Sequence, residues 1–132
     1  MKLYRPVGIY ELRLIAESGW VTFPPRLAGQ PIFYPVLDED YAVQIARDWN
    51  VDDESSGFAG FVTTFDVDDT FASGYAVRVV GSSNHRELWV PTEELTAFNR
   101  HIVGRISVLE RFYGDRFTGR IDPETGLPAD IC

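Results

Sequence analysis

The sequence predicts one α+β domain built on a twisted or split antiparallel sheet, with two helices near the N-terminus and a short helix near the C-terminus. Two observations carry this prediction. Apolar residues recur at helical spacing in the first 50 of the 132 residues, and from Phe58 onward segments rich in Phe, Val and Thr take over. Helices followed by a run of strands are typical of the α+β class. We place the domain in residues 1–113 and expect residues 114–132, rich in Gly, Pro and Asp, to form a partly disordered tail.

The chain is expected to open with a strand and a helix. Residues 2–6 form a short extended segment, because the residue before Pro6 is held in the β region. A helix follows over residues 8–18, and Gly19 ends it in the left-handed conformation. The apolar face of this helix comprises Ile9, Leu12, Ile15 and Ala16.

A second strand and a second helix come next. Residues 32–37 are apolar, but Pro35 interrupts them, which favours an edge strand. Asp38 is placed to cap a helix that ends near Asn50. Its buried stripe is expected to comprise Tyr41, Ala42, Ile45, Ala46 and Trp49.

The second half of the chain is mostly extended. Strands are predicted over residues 58–67, 75–81 and 87–90, separated by turn-forming residues. Pro91 is suited to begin a short helix that runs through Asn99. Residues 102–112 alternate as in a final strand near the edge of the sheet.

Composition excludes several functional classes. With 12 basic and 20 acidic residues the formal charge is −8, which disfavours nucleic acid as a partner. Cys132 is the single cysteine, so no intrachain disulfide forms and a reducing cytoplasm is the expected location. No stretch reaches the roughly 18 apolar residues of a membrane span. Two histidines and no HExxH or EF-hand pattern indicate no metal site, and the GxSxG, GxxxxGK[ST] and GxGxxG motifs do not occur.

Three separated signals remain. The opening strand ends in Leu3-Tyr4-Arg5, and a later strand carries Phe33-Tyr34 just before a helix bearing Tyr41-Ala42. The third is Glu87-Leu88-Trp89-Val90-Pro91, with His85 two residues earlier and therefore on the same face of an extended chain. In order and spacing, over about residues 3 to 110, these signals resemble the NAD-dependent ADP-ribosyltransferase superfamily.

The resemblance implies a split-sheet ADP-ribosyltransferase-like fold and a role for each signal. Arg5 corresponds to the residue that hydrogen-bonds the ribose and phosphates of NAD, a task suited to a planar five-donor cation. Tyr34 corresponds to the aromatic residue that stacks on nicotinamide. Glu87 corresponds to the catalytic glutamate, which stabilises positive charge as the glycosidic bond loosens. His85 and Arg26 are second-rank members of the NAD site, and Arg26 lies in the stiff FPPRL loop where it can clamp a pyrophosphate.

The resemblance implies a toxin-like or housekeeping enzyme that cleaves the nicotinamide–ribose bond of NAD without a metal. ADP-ribose then passes to a macromolecule, a protein being favoured over nucleic acid, or to water. The motifs mix two branches of the superfamily, since the main branches pair an arginine with Ser-Thr-Ser or a histidine with tyrosine. His85 also stands where arginine-modifying members carry Glu or Gln.

Other interpretations of these residues stay open. Glu87 is equally compatible with a solvent-facing strand residue paired with Arg78 or Arg86, and Arg5 with a strand-end residue tied to a neighbouring carboxylate. Tyr34 alone is more typical of a sheet residue than of a ligand platform. At the level of the whole protein, the alternatives are a noncatalytic binding or regulatory module with the same fold, and a structural domain that docks a protein through an aromatic surface.

Overall fold

The computed structural model describes residues 1–131 and has the α+β architecture. Four α-helices are present in these residues: α1 (Ile9–Glu17), α2 (Glu39–Asp48), α3 (Asp69–Ala72) and α4 (Leu95–Arg100). The strands are β1 (Lys2–Val7), β2 (Ile32–Phe33), β3 (Ala59–Val67), β4 (Val77–Val79), β5 (Arg86–Leu88), β6 (Val90–Pro91) and β7 (Ile102–Tyr113). Short 3₁₀ turns cover Asn50–Asp52, Glu54–Ser56 and Thr92–Glu94.

The main sheet has three antiparallel strands in the order β1-β3-β7. All residues of the central strand β3 are buried except Asp66, because the strand is paired on both edges and packed against helices. Its register with β7 shifts between Val62 and Thr63 and again between Thr64 and Asp66. Such irregularities increase the local twist of a sheet.

Two smaller strand pairs, β2 with β6 and β4 with β5, lie on the side of β1 that does not pair with β3. Val36 links them to the main sheet, because it forms one antiparallel bridge with Tyr4 on β1 and another with Glu87 on β5. The expectation of antiparallel pairing in an α+β fold is confirmed. Because Val36 bridges to both β1 and β5, Arg5 and Glu87, which are 82 positions apart in sequence, lie on strands on either side of the same segment.

Helix α1 follows its predicted course, and α2 departs from expectation at both ends. Ile9, Leu12 and Ile15 of α1 are buried, and Gly19 after it has a positive φ of 83°. Asp38 makes no side-chain hydrogen bond to the first turn of α2, because its carboxylate binds Arg86 instead. Trp49, expected in the buried stripe, is 59 % exposed because it lies just past the end of α2.

Residues 114–131, for which the sequence predicted a partly disordered tail, contribute side chains to the domain. Leu127 and Ile131 are buried in the main core. The Tyr113 hydroxyl donates a hydrogen bond of 2.6 Å to the carbonyl of Gly126. Turn-rich segments lack a period, so their few buried apolar residues leave no pattern in the sequence.

None of the helices in residues 1–131 combines the length and apolar content that crossing a membrane requires.

Candidate functional site

A cavity of about 470 Å³ opens between the end of β1, the first turns of α1, the loop after α1 and the end of α2. Arg5, Arg26, Tyr34 and Glu87 all line it. Four of the five residues selected from the sequence therefore meet at one concave surface. A second cavity of about 430 Å³ lies near α4, and among residues 1–131 Arg100 is its one ionisable lining residue. The first cavity therefore has more charged side chains that could bind a ligand or act in catalysis.

Arg5 is held by a partner that the sequence analysis missed. Its Nε lies 2.6 Å from Glu11 Oε2 and its Nη2 lies 2.9 Å from Glu11 Oε1, a bidentate pair between the end of β1 and the first turn of α1. The guanidinium carbon also lies 4.6 Å from the centre of the Phe33 ring. Glu11 thus neutralises much of the charge that Arg5 would offer a ligand. Because Glu11 reads as an ordinary residue of the first helical turn, no sequence signal marked it.

Arg26 lies on the same cavity and has no salt bridge to any carboxylate of residues 1–131. Its Nε donates to the carbonyl of Ile32 at 3.1 Å, and its guanidinium carbon lies 5.9 Å from the centre of the Tyr34 ring. Burial, and next the positive charge of Arg5, lowers the pKa of Arg26 from its ordinary value. Its terminal nitrogens are the cationic groups best placed to bind an anion in this cavity.

Glu87 accepts a hydrogen bond on each carboxylate oxygen. The Tyr41 hydroxyl donates to Oε2 at 2.6 Å, and Trp89 Nε1 donates to Oε1 at 2.9 Å. Burial, followed by the hydrogen bond to Glu87, raises the pKa of Tyr41 to about 12. Both donors are neutral, so neither hydrogen bond pairs the Glu87 carboxylate with a cation.

His85 does not line the cavity. Its ring stacks on the ring of Tyr41, with 4.2 Å between centroids and 13° between planes. The expectation that it contacts a ligand therefore has no support in the geometry. Alternation along an extended chain places His85 and Glu87 on one side, and both side chains contact Tyr41, His85 through its ring and Glu87 through Oε2.

A chain of hydrogen bonds links three of the residues that line the cavity, Asn50, Ser56 and Asp53. Asn50 Nδ2 donates to Ser56 Oγ at 2.9 Å, and Ser56 Oγ donates to Asp53 Oδ2 at 2.6 Å. The hydrogen bond from Ser56 is the largest cause that lowers the pKa of Asp53. Gly8, the residue before α1, packs so closely here that a Cβ atom would lie 2.6 Å from the Cβ of Ser56. A glycine is therefore required at this wall.

The chemistry of the site follows from how its charges are paired. Arg5 and Glu11 form an ion pair, whereas Arg26 and Glu87 form no salt bridge within residues 1–131 and make their hydrogen bonds to neutral groups. Within residues 1–131, no group of three or more His, Cys, Asp or Glu side chains is arranged to hold a metal ion. The site is equipped to bind an anion and an aromatic ring and to present a fixed carboxylate.

Comparison with protein-family models, with curated proteins and with solved structures finds no match to this chain.

Proposed function

We propose that this protein binds NAD in the cavity, cleaves the nicotinamide–ribose bond and transfers ADP-ribose to an acceptor. One observation carries the proposal: Arg5, Arg26, Tyr34 and Glu87, drawn from separate segments of the chain, line one cavity. Its volume of about 470 Å³ lies within the range of roughly 300–1,000 Å³ that small-molecule sites occupy. Aromatic and aliphatic walls with a few polar groups suit a ligand that joins flat rings to charged phosphates.

The cationic part of the proposed site rests on Arg26 more than on Arg5. The pair with Glu11 occupies two donor nitrogens of Arg5, so Arg5 mainly fixes β1 against α1 and shapes the wall. Arg26 keeps its terminal nitrogens for a pyrophosphate and is held in place through Nε by a backbone carbonyl. This division modifies the expectation from the family resemblance, which gave Arg5 the leading role.

Tyr34 and Glu87 provide the remaining roles. The Tyr34 ring is 43 % exposed and lies beside Arg26, so it offers a face on which a flat ring can stack. When bound, NAD supplies a glycosidic bond whose cleavage develops positive charge on the ribose. Glu87 holds a fixed negative charge at the cavity wall, and a preorganised charge stabilises a developing charge of opposite sign.

The acceptor is proposed to be a protein or water. The formal charge of −8 opposes approach of a nucleic acid backbone. A cytoplasmic site of action is part of the same proposal and rests on the single cysteine.

Release of free nicotinamide from NAD tests the proposal. We expect the wild-type protein to release nicotinamide and the Glu87→Gln variant to lose at least about 100-fold in kcat while its affinity for NAD stays within about threefold. Glu94→Gln is the matched control, because Glu94 also accepts a tyrosine hydroxyl, at 2.7 Å from Tyr75, but lies outside the cavity. Wild-type protein that neither binds NAD nor releases nicotinamide refutes the proposal.

A second candidate function is a noncatalytic NAD-binding module. The observation that favours it is the bidentate Arg5–Glu11 pair. The family resemblance gives Arg5 the role of binding the ribose and phosphates of NAD, and in this structure its guanidinium is paired with Glu11 instead. NAD binding by the wild-type protein without release of nicotinamide, with every plausible acceptor class supplied, would select this candidate over the enzyme.

A further inference from the structure

Two neutral aromatic donors hold the carboxylate of Glu87, one on each oxygen. The Tyr41 hydroxyl lies 2.6 Å from Oε2 and Trp89 Nε1 lies 2.9 Å from Oε1. Two donors on different oxygens fix both the position and the plane of the carboxylate. Because neither donor is charged, the orientation is gained without neutralising Glu87, which an arginine or lysine partner would do.

Each of the two aromatic donors is itself stacked against a basic side chain of the β4–β5 hairpin. His85 stacks on the Tyr41 ring with 4.2 Å between centroids, and the guanidinium carbon of Arg78 lies 4.4 Å from the centre of the Trp89 ring. Arg78 is also the register partner of Glu87 across the hairpin. The hairpin therefore carries the carboxylate together with the residues that support its two donors.

The hairpin is tied to the helix that carries Tyr41. Arg86 Nη2 lies 2.8 Å from Asp38 Oδ1, and the Arg86 backbone N–H donates to Asp38 Oδ2 at 3.2 Å. Asp38 directly precedes α2, on which Tyr41 lies three positions later. This ion pair ties the start of the helix that carries Tyr41 to the strand that carries Glu87.

We propose that Tyr41 and Trp89 are positioning residues that hold Glu87 in the orientation required for cleavage of the nicotinamide–ribose bond. The inference rests on the proposed function and assigns residues that the family resemblance left without a role. It also moves His85 from a ligand contact to a support of the Tyr41 ring. The physical reason is that a carboxylate acts on a developing charge with full effect only when its oxygens are held toward it.

The test compares kcat and KM for nicotinamide release by Tyr41→Phe, Trp89→Phe and a matched control. Tyr41→Phe removes one hydroxyl and keeps the ring that stacks on His85. We expect kcat to fall on the order of tenfold in each variant, with KM within about twofold, because the ligand contacts are unchanged. Tyr75→Phe is the control: its hydroxyl donates to Glu94 Oε1 at 2.7 Å outside the cavity, and its loss should leave both constants at the wild-type value.

A double-mutant comparison shows whether Tyr41 acts through Glu87. In Glu87→Asp the carboxylate is one methylene shorter and out of reach of the Tyr41 hydroxyl, so adding Tyr41→Phe should cost less than about twofold in kcat. In parallel, the indole N–H resonance of Trp89, assigned from its loss in Trp89→Phe, should shift in Glu87→Gln and stay in place in Glu94→Gln.

The outcomes separate this inference from the proposed function. If Tyr41→Phe and Trp89→Phe both keep the wild-type kcat while Glu87→Gln is inactive, the inference is overturned and the proposed enzymatic function still stands. A tenfold loss from Tyr41→Phe in the Glu87→Asp background also overturns it, since Tyr41 would then act independently. Wild-type protein that releases no nicotinamide, whether or not it binds NAD, refutes the enzymatic activity, and the positioning role is refuted with it.

Discussion

The Arg5–Glu11 pair gives the sharpest test of how this site is built. The exposed fractions of the two side chains are 9 % for Arg5 and 21 % for Glu11, and two hydrogen bonds of 2.6 and 2.9 Å join them. Replacing Arg5 with methionine fills most of its volume but leaves Glu11 as a charge with little access to water. An uncompensated buried charge is costly, so the variant is expected to be destabilised.

The expected loss can be worked out from the burial of the pair. Breaking a buried ion pair by removing one partner costs about 3–5 kcal/mol. Glu11 keeps about a fifth of its surface in water, so we expect the lower end, about 3 kcal/mol for Arg5→Met. Removing both charges in Arg5→Met/Glu11→Leu should recover most of this and lie within about 1 kcal/mol of wild type.

Urea denaturation followed by tryptophan fluorescence measures these differences in the free energy of unfolding. Arg13→Met is the matched control, because Arg13 forms a 2.8 Å pair with Asp130 whose side chains are 37 % and 61 % exposed. That variant should lose less than about 1 kcal/mol. If Arg5→Met is as stable as Arg13→Met, or if the effects of the two substitutions in the double variant simply add, the pair is not the buried structural contact described above.

Two further predictions concern the elements around the cavity. At Gly60 a Cβ atom would overlap the Ala46 carbonyl oxygen of α2 and lie 2.8 Å from the Asn50 Cβ, so Gly60→Ala should lower the free energy of unfolding by about 2–3 kcal/mol; wild-type urea stability would contradict this. The hydrogen bond from Arg86 holds the pKa of Asp38 below 3.8, so the stability that this carboxylate adds is present above that pH and is lost as the pH falls through the lowered pKa. The urea midpoints of wild type and Asp38→Asn should therefore differ at pH 7 and converge as the pH drops below 3.8, and a gap that persists at low pH would count against the ion pair as its cause.

Regular elements were the part of this fold that the sequence predicted well. Helix α1 and the start of β7 lie where apolar spacing put them, because a period of 3.6 or 2 residues reports directly which face of an element is buried. Over residues 32–37, where one strand was expected, the structure has the two-residue strand β2 and isolated bridges at Val36. Phe33 and Val36 of this segment are buried, but a short apolar run does not indicate how many of its backbone groups pair with another strand.

The site was predictable in part. Arg5, Tyr34 and Glu87 were named because the order and spacing of their segments resemble the ADP-ribosyltransferase superfamily, and Arg26 because it lies in a stiff loop. All four line the cavity. His85 was selected by alternation along the strand and shares a side with Glu87, but its ring stacks on Tyr41 and does not line the cavity.

By itself, the sequence determined the α+β class, the amphipathic first helix and a short set of chemically suitable side chains. The tertiary structure alone decided which groups meet: Glu11 with Arg5 across a turn, and Tyr41 with Glu87 across 46 residues of chain. Local spacing records how each segment divides its surface between core and solvent, whereas the partner of a charged group depends on how distant segments cross. The sequence placed Tyr41 on the buried stripe of a helix and in one of the three signals, but for the same reason it did not indicate the hydrogen bond from Tyr41 to Glu87.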